Sequence, residues 1–306
     1  MSRVLILTDG KAGHENQSKA FARALGCEFD LVEVHFKSAF HKALSYLHDA
    51  VGIASLAFLA PFGDRKALSE RGYAAVLGTG SGTFYAAKAL AKKLGVKCGV
   101  VLYPRGYRLS TFDCILAPAF DNPKPSPNVV TIPANLVAAD ESFYEKGVAA
   151  YRERTDVTPE VAVIIGGPNK CSTMTVEWMK AQLDAIFSQP GKKAVTTSRR
   201  TPSEVEALVD TYPWDYRLLY SKDHFNPIPA FVKLAKRLYV TAESTGMLSE
   251  SCTFGTAEVI ALDNLNPGPH KFRCFVEDLR KAGYVDGNKK VDLSAQFARA
   301  RTLMGV

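Results

Sequence analysis

None of the six cysteines forms a C-x-x-C pair or stands with histidines at metal-ligand spacing, which excludes a zinc ribbon and a dithiol redox centre. Cys27, Cys98, Cys114, Cys171, Cys252 and Cys274 are scattered through apolar contexts. They are expected as reduced core residues of a cytosolic protein, with no disulfide frame and no metal. The apolar stretch at residues 50–62 is too short to span a bilayer. An apolar strand begins after three residues, leaving no room for a signal peptide, and an Arg-rich transit segment is missing. No helix-turn-helix signature, RNA-reading motif or long basic run occurs, which places nucleic acid last among candidate partners.

What the chain does have is length and positive charge. Its 306 residues suffice for two domains or one large α/β domain with an ample core. A net charge of +7 favours an anionic partner, either nucleotide phosphate or an acidic membrane surface before nucleic acid.

The dominant pattern is a short apolar run followed by a permissive loop and a helix. RVLILT at 3–8 is a strand buried on both faces, as in a parallel sheet. The loop DGKAGH at 9–14 follows, then a helical composition over 15–25 that Gly26 stops. That loop is neither a P-loop nor a G-x-G-x-x-G fingerprint. Residues 29–34, 73–77, 98–103, 112–117 and 129–132 read as further strands, and the run at 73–77 leads through GTGSG at 78–82 into a helix over 83–94. The segment 43–62 is flanked by His41, Lys42, His48, Arg65 and Lys66. It is either a helix packed in the core or a segment lying on an anionic membrane.

A charge-rich helical section at 141–154, followed by residues 155–159, marks an interdomain linker, after which the pattern restarts. Strands at 161–165, 193–197, 215–220 and 238–241 each lead through a loop toward a helix, and a fifth strand spans 258–262. Two halves of repeated βα units predict an α/β protein of two doubly wound, Rossmann-like domains across a cleft. The expected division is 1–154, joined by a terminal helix from about residue 291, and 155–290.

In the second half three strand-end loops are expected to converge: GGPNK at 166–170, SRRT at 198–201 and ESTGM at 243–247. Gly166 and Gly167 would bring backbone close to a ligand, and Lys170 or Arg199 would supply positive charge. Ser244, Thr245, Gly246 and Met247 would offer hydroxyls and the free N–H groups of a helix over 247–254, which together describe a nucleoside diphosphate pocket. Glu250, one turn in, would reach a ribose hydroxyl. In the first half His14 closes a glycine loop at a helix start. It is either a capping residue or a base that takes a proton from an attacking hydroxyl.

The segments TDGKAGHENQS (8–18), IGGPNK (165–170), SRRTP (198–202), NPIPAF (226–231) and VTAESTGMLSE (240–250) resemble the marker segments of the mitochondrial fission ELM1-like family. That family, whose bacterial members are regarded as glycosyltransferases, is similar to the GT-B glycosyltransferases, including MurG. The resemblance implies an N-terminal acceptor domain, a C-terminal nucleotide-sugar domain and a last helix returning to the first domain. It implies His14 as general base, Glu250 on the donor ribose, and Ser198 and Asn226 on the donor side. Gly10, Lys11, Gly13, Gly80 and Ser81 fall on the acceptor side. The loop at 9–13 is less glycine-rich than its MurG counterpart. The expected activity is metal-independent transfer of a sugar from a nucleoside diphosphate donor, with no tightly bound cofactor, to a lipid-linked acceptor at the cytoplasmic face of the membrane. A non-catalytic membrane adaptor and a GT-B-type sugar epimerase are the alternatives.

Overall fold

The computed structural model describes residues 2–63 and 65–306, the side chains of residues 65–67 excepted, so the basic groups of Arg65 and Lys66 lie outside the described set. Through Ala138 the order is β1 (Arg3–Thr8), α1 (Ala12–Ala24), β2 (Glu28–Glu33), α2 (Ala39–Ala50), α3 (Arg65–Glu70), β3 (Ala75–Thr79), α4 (Phe84–Leu94), β4 (Lys97–Val101), β5 (Cys114–Pro118) and β6 (Val129–Ile132). From residue 139 it continues α5 (Glu141–Arg152), β7 (Val161–Ile164), α6 (Val176–Phe187), β8 (Lys193–Thr196), α7 (Ser203–Asp210), β9 (Tyr216–Leu218), α8 (Ile228–Leu234), β10 (Arg237–Thr241), α9 (Thr245–Thr253), β11 (Glu258–Leu262) and α10 (Lys271–Ala282). The last element is α11 (Ser294–Met304). Two compact units result: residues through Ala138 with Asp292–Val306, and Ala139–Val291.

The first unit is built on a six-stranded sheet of order β2-β1-β3-β4-β5-β6, parallel throughout. β1, β3 and β5 are buried along nearly their whole length, as strands covered on both faces must be. Helix α4 is buried from Phe84 to Ala91, four alanines letting it sit close to the sheet. Gly99 on β4 has the same purpose, since a Cβ there would come within 2.8 Å of Phe21 and 3.1 Å of Met304. Helix α1 and the terminal α11 therefore press onto β4, and α11 is pinned further by Arg299 donating to Pro127 O at 2.8 Å and Arg301 to Ala24 O at 2.6 Å.

Residues 50–62, one apolar run in the sequence, divide in the structure. Leu56, Leu59 and Phe62 are buried, whereas Val51 and Ile53 are exposed. The preceding α2 turns Ser45 and Asp49 inward and leaves Phe40, Ala43, Leu47 and Ala50 facing out. Asp49 forms a buried ion pair with Lys88 of α4 and accepts the Arg108 N–H at 2.6 Å. Leaving either charge without the other would be costly in so buried a place.

The second unit has a five-stranded parallel sheet, order β11-β10-β7-β8-β9. Helix α5, expected to close the first half, belongs to this unit. Gly147 takes the ring of Pro229 where a Cβ would stand 2.5 Å from it, so α5 seats on α8. Tyr151 of α5 packs edge-on against Tyr216 and Phe231, with centroids 4.7 and 6.0 Å away. Helix α10 falls where the sequence reading assigned nothing, yet it buries Phe275, Val276 and Leu279 at helical spacing. Of the six cysteines expected in the core, Cys274 on α10 is exposed and Cys171 is half-buried.

Candidate functional site

The order of each sheet reverses once. In the second unit the chain leaves β7 toward β8 and β9, then returns on the other side through β10. The loops leaving the carboxyl ends of β7 and β10 meet there, at the crevice where open α/β sheets usually hold ligands. Four hydrogen bonds organise it. Gly166 N–H donates to Thr241 Oγ1 at 2.8 Å, and Gly167 N–H to Glu243 Oε1 at 2.7 Å. The Thr241 hydroxyl donates to the same Oε1 at 3.1 Å, and Thr201 Oγ1 donates to Gly166 O at 2.6 Å. All three expected loops are thereby brought together.

The role of the two glycines differs from expectation. A Cβ on Gly166 would run into Glu243 Oε1, and one on Gly167 into the Arg200 carbonyl. Both residues are glycine because the loops close on each other. Their N–H groups point inward to Thr241 and Glu243, and are not offered to a ligand.

The free donors belong to α9. Its first amide to find a backbone acceptor is that of Leu248, on Ser244 O at 3.0 Å, so the amides of Thr245, Gly246 and Met247 remain at the helix start. The helix begins two residues before the expected position 247. Ser244 precedes it without a side-chain cap, and nothing would lie within 4 Å of a Cβ on Gly246. This is an open helix start with unengaged N–H groups, suited to an anion.

Glu250 follows one turn later. Burial raises its carboxyl above the usual range, and the Tyr144 hydroxyl, donating to Oε1 at 3.0 Å, opposes that rise. Tyr144 comes from α5, is fully buried, and lies against the Phe254 ring with centroids 4.5 Å apart. Other expected donor residues are placed less directly. Lys170, Arg199 and Arg200 are exposed. Ser198 closes its own turn, its N–H on Thr201 Oγ1 at 2.9 Å. Asn226 follows β9, the strand at the far edge of the sheet, and its Oδ1 accepts the Ile228 N–H at 3.1 Å; that is an Asx turn opening α8.

The first unit reverses between β1 and β3. His14 lies in the first turn of α1, and its Nδ1 is 3.0 and 3.1 Å from the two oxygens of Asp9. Burial would raise the Asp9 carboxyl, but Lys11, whose ammonium is 3.1 Å away, and His14 outweigh it and hold it below the usual range. With an ionised Asp9 as acceptor, Nδ1 is the ring nitrogen that donates. The β3–α4 loop closes on this pair. Gly80, at φ +81°, lies under the imidazole, and a Cβ on Gly82 would stand 2.7 Å from Asp9. Ser81 is exposed and accepts from Lys42 at 2.9 Å. Gly10 turns the chain at φ +77° beside Glu33, while Gly13 is exposed and a Cβ there would meet nothing within 4 Å.

Asp9, Thr201, Thr241, Glu243 and Tyr144 had no role in the sequence reading. Four of them stand inside the quoted segments, so the signal was present as residue type. Tyr144 is more than a hundred positions from its partner and had none. Among the described residues no three His, Cys, Asp or Glu side chains are grouped to hold a metal ion.

Solved structures share the fold. Arabidopsis thaliana UGT89C1 complexed with UDP is similar at a TM-score of 0.56 and 12% identity, covering 100% of this chain and 90% of that one. UDP-GlcNAc 2-epimerase from Neisseria meningitidis bound to UDP-GlcNAc follows at 0.52 and 12%, covering 100% and 98%. Acinetobacter baumannii MurG matches at 0.51 and 13%, covering 99% and 92%. The fold is therefore GT-B-like, two parallel α/β sheets with interleaved helices. No curated protein matches the chain. The family model for mitochondrial fission ELM1 matches residues 12–298, and the chain belongs to that family.

Proposed function

We propose that this protein is a glycosyltransferase that moves a sugar from a nucleoside diphosphate donor to an acceptor hydroxyl. The observation that carries the reading is the second reversal point, where an open helix start meets a carboxylate one turn later. The diphosphate would rest on the amides of Thr245, Gly246 and Met247 and the Ser244 hydroxyl, with exposed Lys170 and Arg199 adding positive charge. Glu250, fixed by Tyr144, would accept a hydrogen bond from a ribose hydroxyl. UDP in the structure of UGT89C1 and UDP-GlcNAc in that of the epimerase favour uridine as the base.

His14 would act as general base. Its Nε2 takes the proton of the acceptor hydroxyl as that oxygen bonds to the anomeric carbon, and the sugar–phosphate bond breaks with its electron pair leaving on the diphosphate. Asp9 holds the Nδ1 proton and steadies the imidazolium that results. Calorimetry tests the donor half. Glu250→Ala is expected to weaken UDP binding about tenfold or more while the melting temperature stays close to that of the parent. Unchanged affinity removes Glu250 from the site.

The acceptor is proposed to be lipid-linked, and the protein to sit peripherally on the cytoplasmic face of a membrane. Support comes from α2 and the turn after it, where Phe40 (68% exposed), Leu47 (65%), Val51 (71%) and Ile53 (48%) form an apolar stripe beside His41 and Lys42. Such a stripe with flanking cations suits an anionic lipid surface. No helix among the described residues is long and apolar enough to cross a membrane. Phe40→Ser with Leu47→Ser should abolish sedimentation with phosphatidylglycerol vesicles; retained sedimentation sinks the proposal.

Similarity to UDP-GlcNAc 2-epimerase supports a second reading, epimerisation of the donor sugar itself. Incubation with UDP-GlcNAc and no acceptor separates the two, because only an epimerase would change the sugar while the diphosphate stays attached.

A further inference from the structure

At the amino ends of β4 and β5, the opposite end of the first sheet from His14, lies a cavity of about 270 Å³. Its walls include Gly52 and Ala54 from the turn after α2, Lys88 and Lys92 from α4, and Arg108 and Asp113 from the β4–β5 connection. None of these residues has a part in the sugar-transfer reading.

Three cations line this space. Lys88 is 5% exposed, and Asp49, its carboxylate partner, is 1% exposed. Beyond that ion pair the Lys88 ammonium finds no hydrogen-bond partner among the described residues. The rings of Tyr85, Tyr107 and Phe112 surround it, with centroids 5.8 to 6.0 Å away. An ammonium carries three donors, and buried donors are nearly always engaged.

Arg108 gives its backbone N–H to Asp49 at 2.6 Å, but its Nε stays 3.9 Å from that carboxylate, and Nη1 and Nη2 donate to no group among the described residues. The guanidinium lies under the turn instead. Gly52, at φ +84°, would bring a Cβ within 3.5 Å of Nη2. Asp113 is already matched by Lys97 Nζ at 2.7 Å and the Cys98 N–H at 2.8 Å. With Asp49 set against Lys88 and Asp113 against Lys97, the charges of Arg108 and Lys92 are unanswered, and both act against the charge on Lys88.

From this arrangement we infer that the cavity binds a phosphate monoester, with the Arg108 fork and Lys92 at its mouth and the Lys88 ammonium at its floor. Two unanswered positive charges match the roughly −1.5 to −2 that such a group carries at neutral pH. A guanidinium fork pairs with two phosphate oxygens at once. A singly charged phosphodiester leaves one cation unmatched and is the poorer fit. The volume, below the usual range for drug-sized ligands, has room for the phosphate and a few attached atoms. The carrier is either a soluble ester or a lipid with a phosphatidate headgroup. The turn suits the lipid, since Val51 and Ile53 point outward, 71% and 48% exposed, while Gly52 and Ala54 form the cavity wall.

Calorimetry on the full chain at fixed ionic strength, with glycerol 3-phosphate as the titrant, tests the site. The parent is expected to bind it, and Arg108→Gln with Lys92→Gln to bind about tenfold more weakly or worse, with UDP affinity as in the parent. Both side chains reach solvent, and Lys88 stays in place so that Asp49 keeps its partner. Vesicle sedimentation identifies the carrier. Stronger sedimentation of the parent with phosphatidate than with phosphatidylglycerol vesicles of equal surface charge, lost in the double variant, assigns the lipid. Equal sedimentation with the two, beside glycerol 3-phosphate binding that needs Arg108 and Lys92, assigns the soluble ester. A parent that neither binds glycerol 3-phosphate nor prefers phosphatidate overturns the site, as does binding that the double variant keeps in full or loses in parallel with UDP affinity. If glycerol 3-phosphate binds and UDP does not, the sugar-transfer reading falls and this site stands.

Discussion

The two reversal points share a topology and divide the chemistry. Between β1 and β3 the polar groups brought together are side chains, an imidazole and a carboxylate in contact with it, with Gly80 and Gly82 kept bare to make room. Between β7 and β10 the glycines are bare because backbone meets backbone, and the groups left free are amides at a helix start. On the proposed reading, the first crevice moves a proton and the second holds an anion. The difference lies in what the loop after each first strand does with its polar groups. At β1 it presents Asp9 to a histidine, and at β7 it turns both amides inward.

Four substitutions would break or sharpen that contrast. The largest effect is expected in the first crevice: His14→Ala should lower sugar transfer by roughly 10²- to 10⁴-fold and leave UDP affinity unchanged, read by product formation against calorimetry. Equal loss of both would move His14 out of the proton-transfer role. In the second crevice Gly167→Ala forces a methyl into the Arg200 carbonyl and should cost about 3 kcal/mol in urea unfolding. Its neighbour in function, Gly246, faces open space. There Gly246→Ala should change stability by under about 1 kcal/mol, in the stabilising direction; a large loss would mean the helix start is not open.

The fourth concerns pH. Burial holds the Glu250 carboxyl above its ordinary value, so the folded chain takes up that proton more readily than the unfolded one. Its charged form therefore costs stability above the raised value, and that cost disappears as pH falls through it. Nucleotide binding runs the other way, weakening as the carboxylate is protonated. Tyr144→Phe removes the one donor that favours the charged form, and the acid decline of UDP affinity should begin at higher pH by a modest shift. Coincident pH profiles for the parent and Tyr144→Phe would show that the hydroxyl does not act on Glu250.

Much of this was legible from residue order. Strands such as 3–8 and 258–262 are continuous apolar runs bounded by polar loops, and parallel sheets impose that pattern through burial on both faces. The three converging loops were legible because each follows such a run. What escaped was set by contacts distant in sequence. Helix α5 looked like the end of the first half, but its affiliation is decided by Gly147 under Pro229 and by Tyr144 on Glu250. The inward turn of the Gly166 and Gly167 amides depends on Thr241 and Glu243, some 75 positions away. Asn226 carried a motif but sits beside an edge strand, and no local signal gives sheet order.

Helix α11 completes the first sheet from the far end of the chain. Its Met304 comes against Gly99, beside Phe21, and its arginines hold Pro127 and Ala24. The second unit, Ala139–Val291, is thus an insertion in the sequence of the first. Chains are made from the N-terminus, and domains fold as they emerge. On the ribosome the inserted unit has all its residues before the surrounding one does. The first unit must wait with the surface over β4 uncovered until residues 294–304 are released, and a chain cut short before them would carry a finished second unit and an unfinished first.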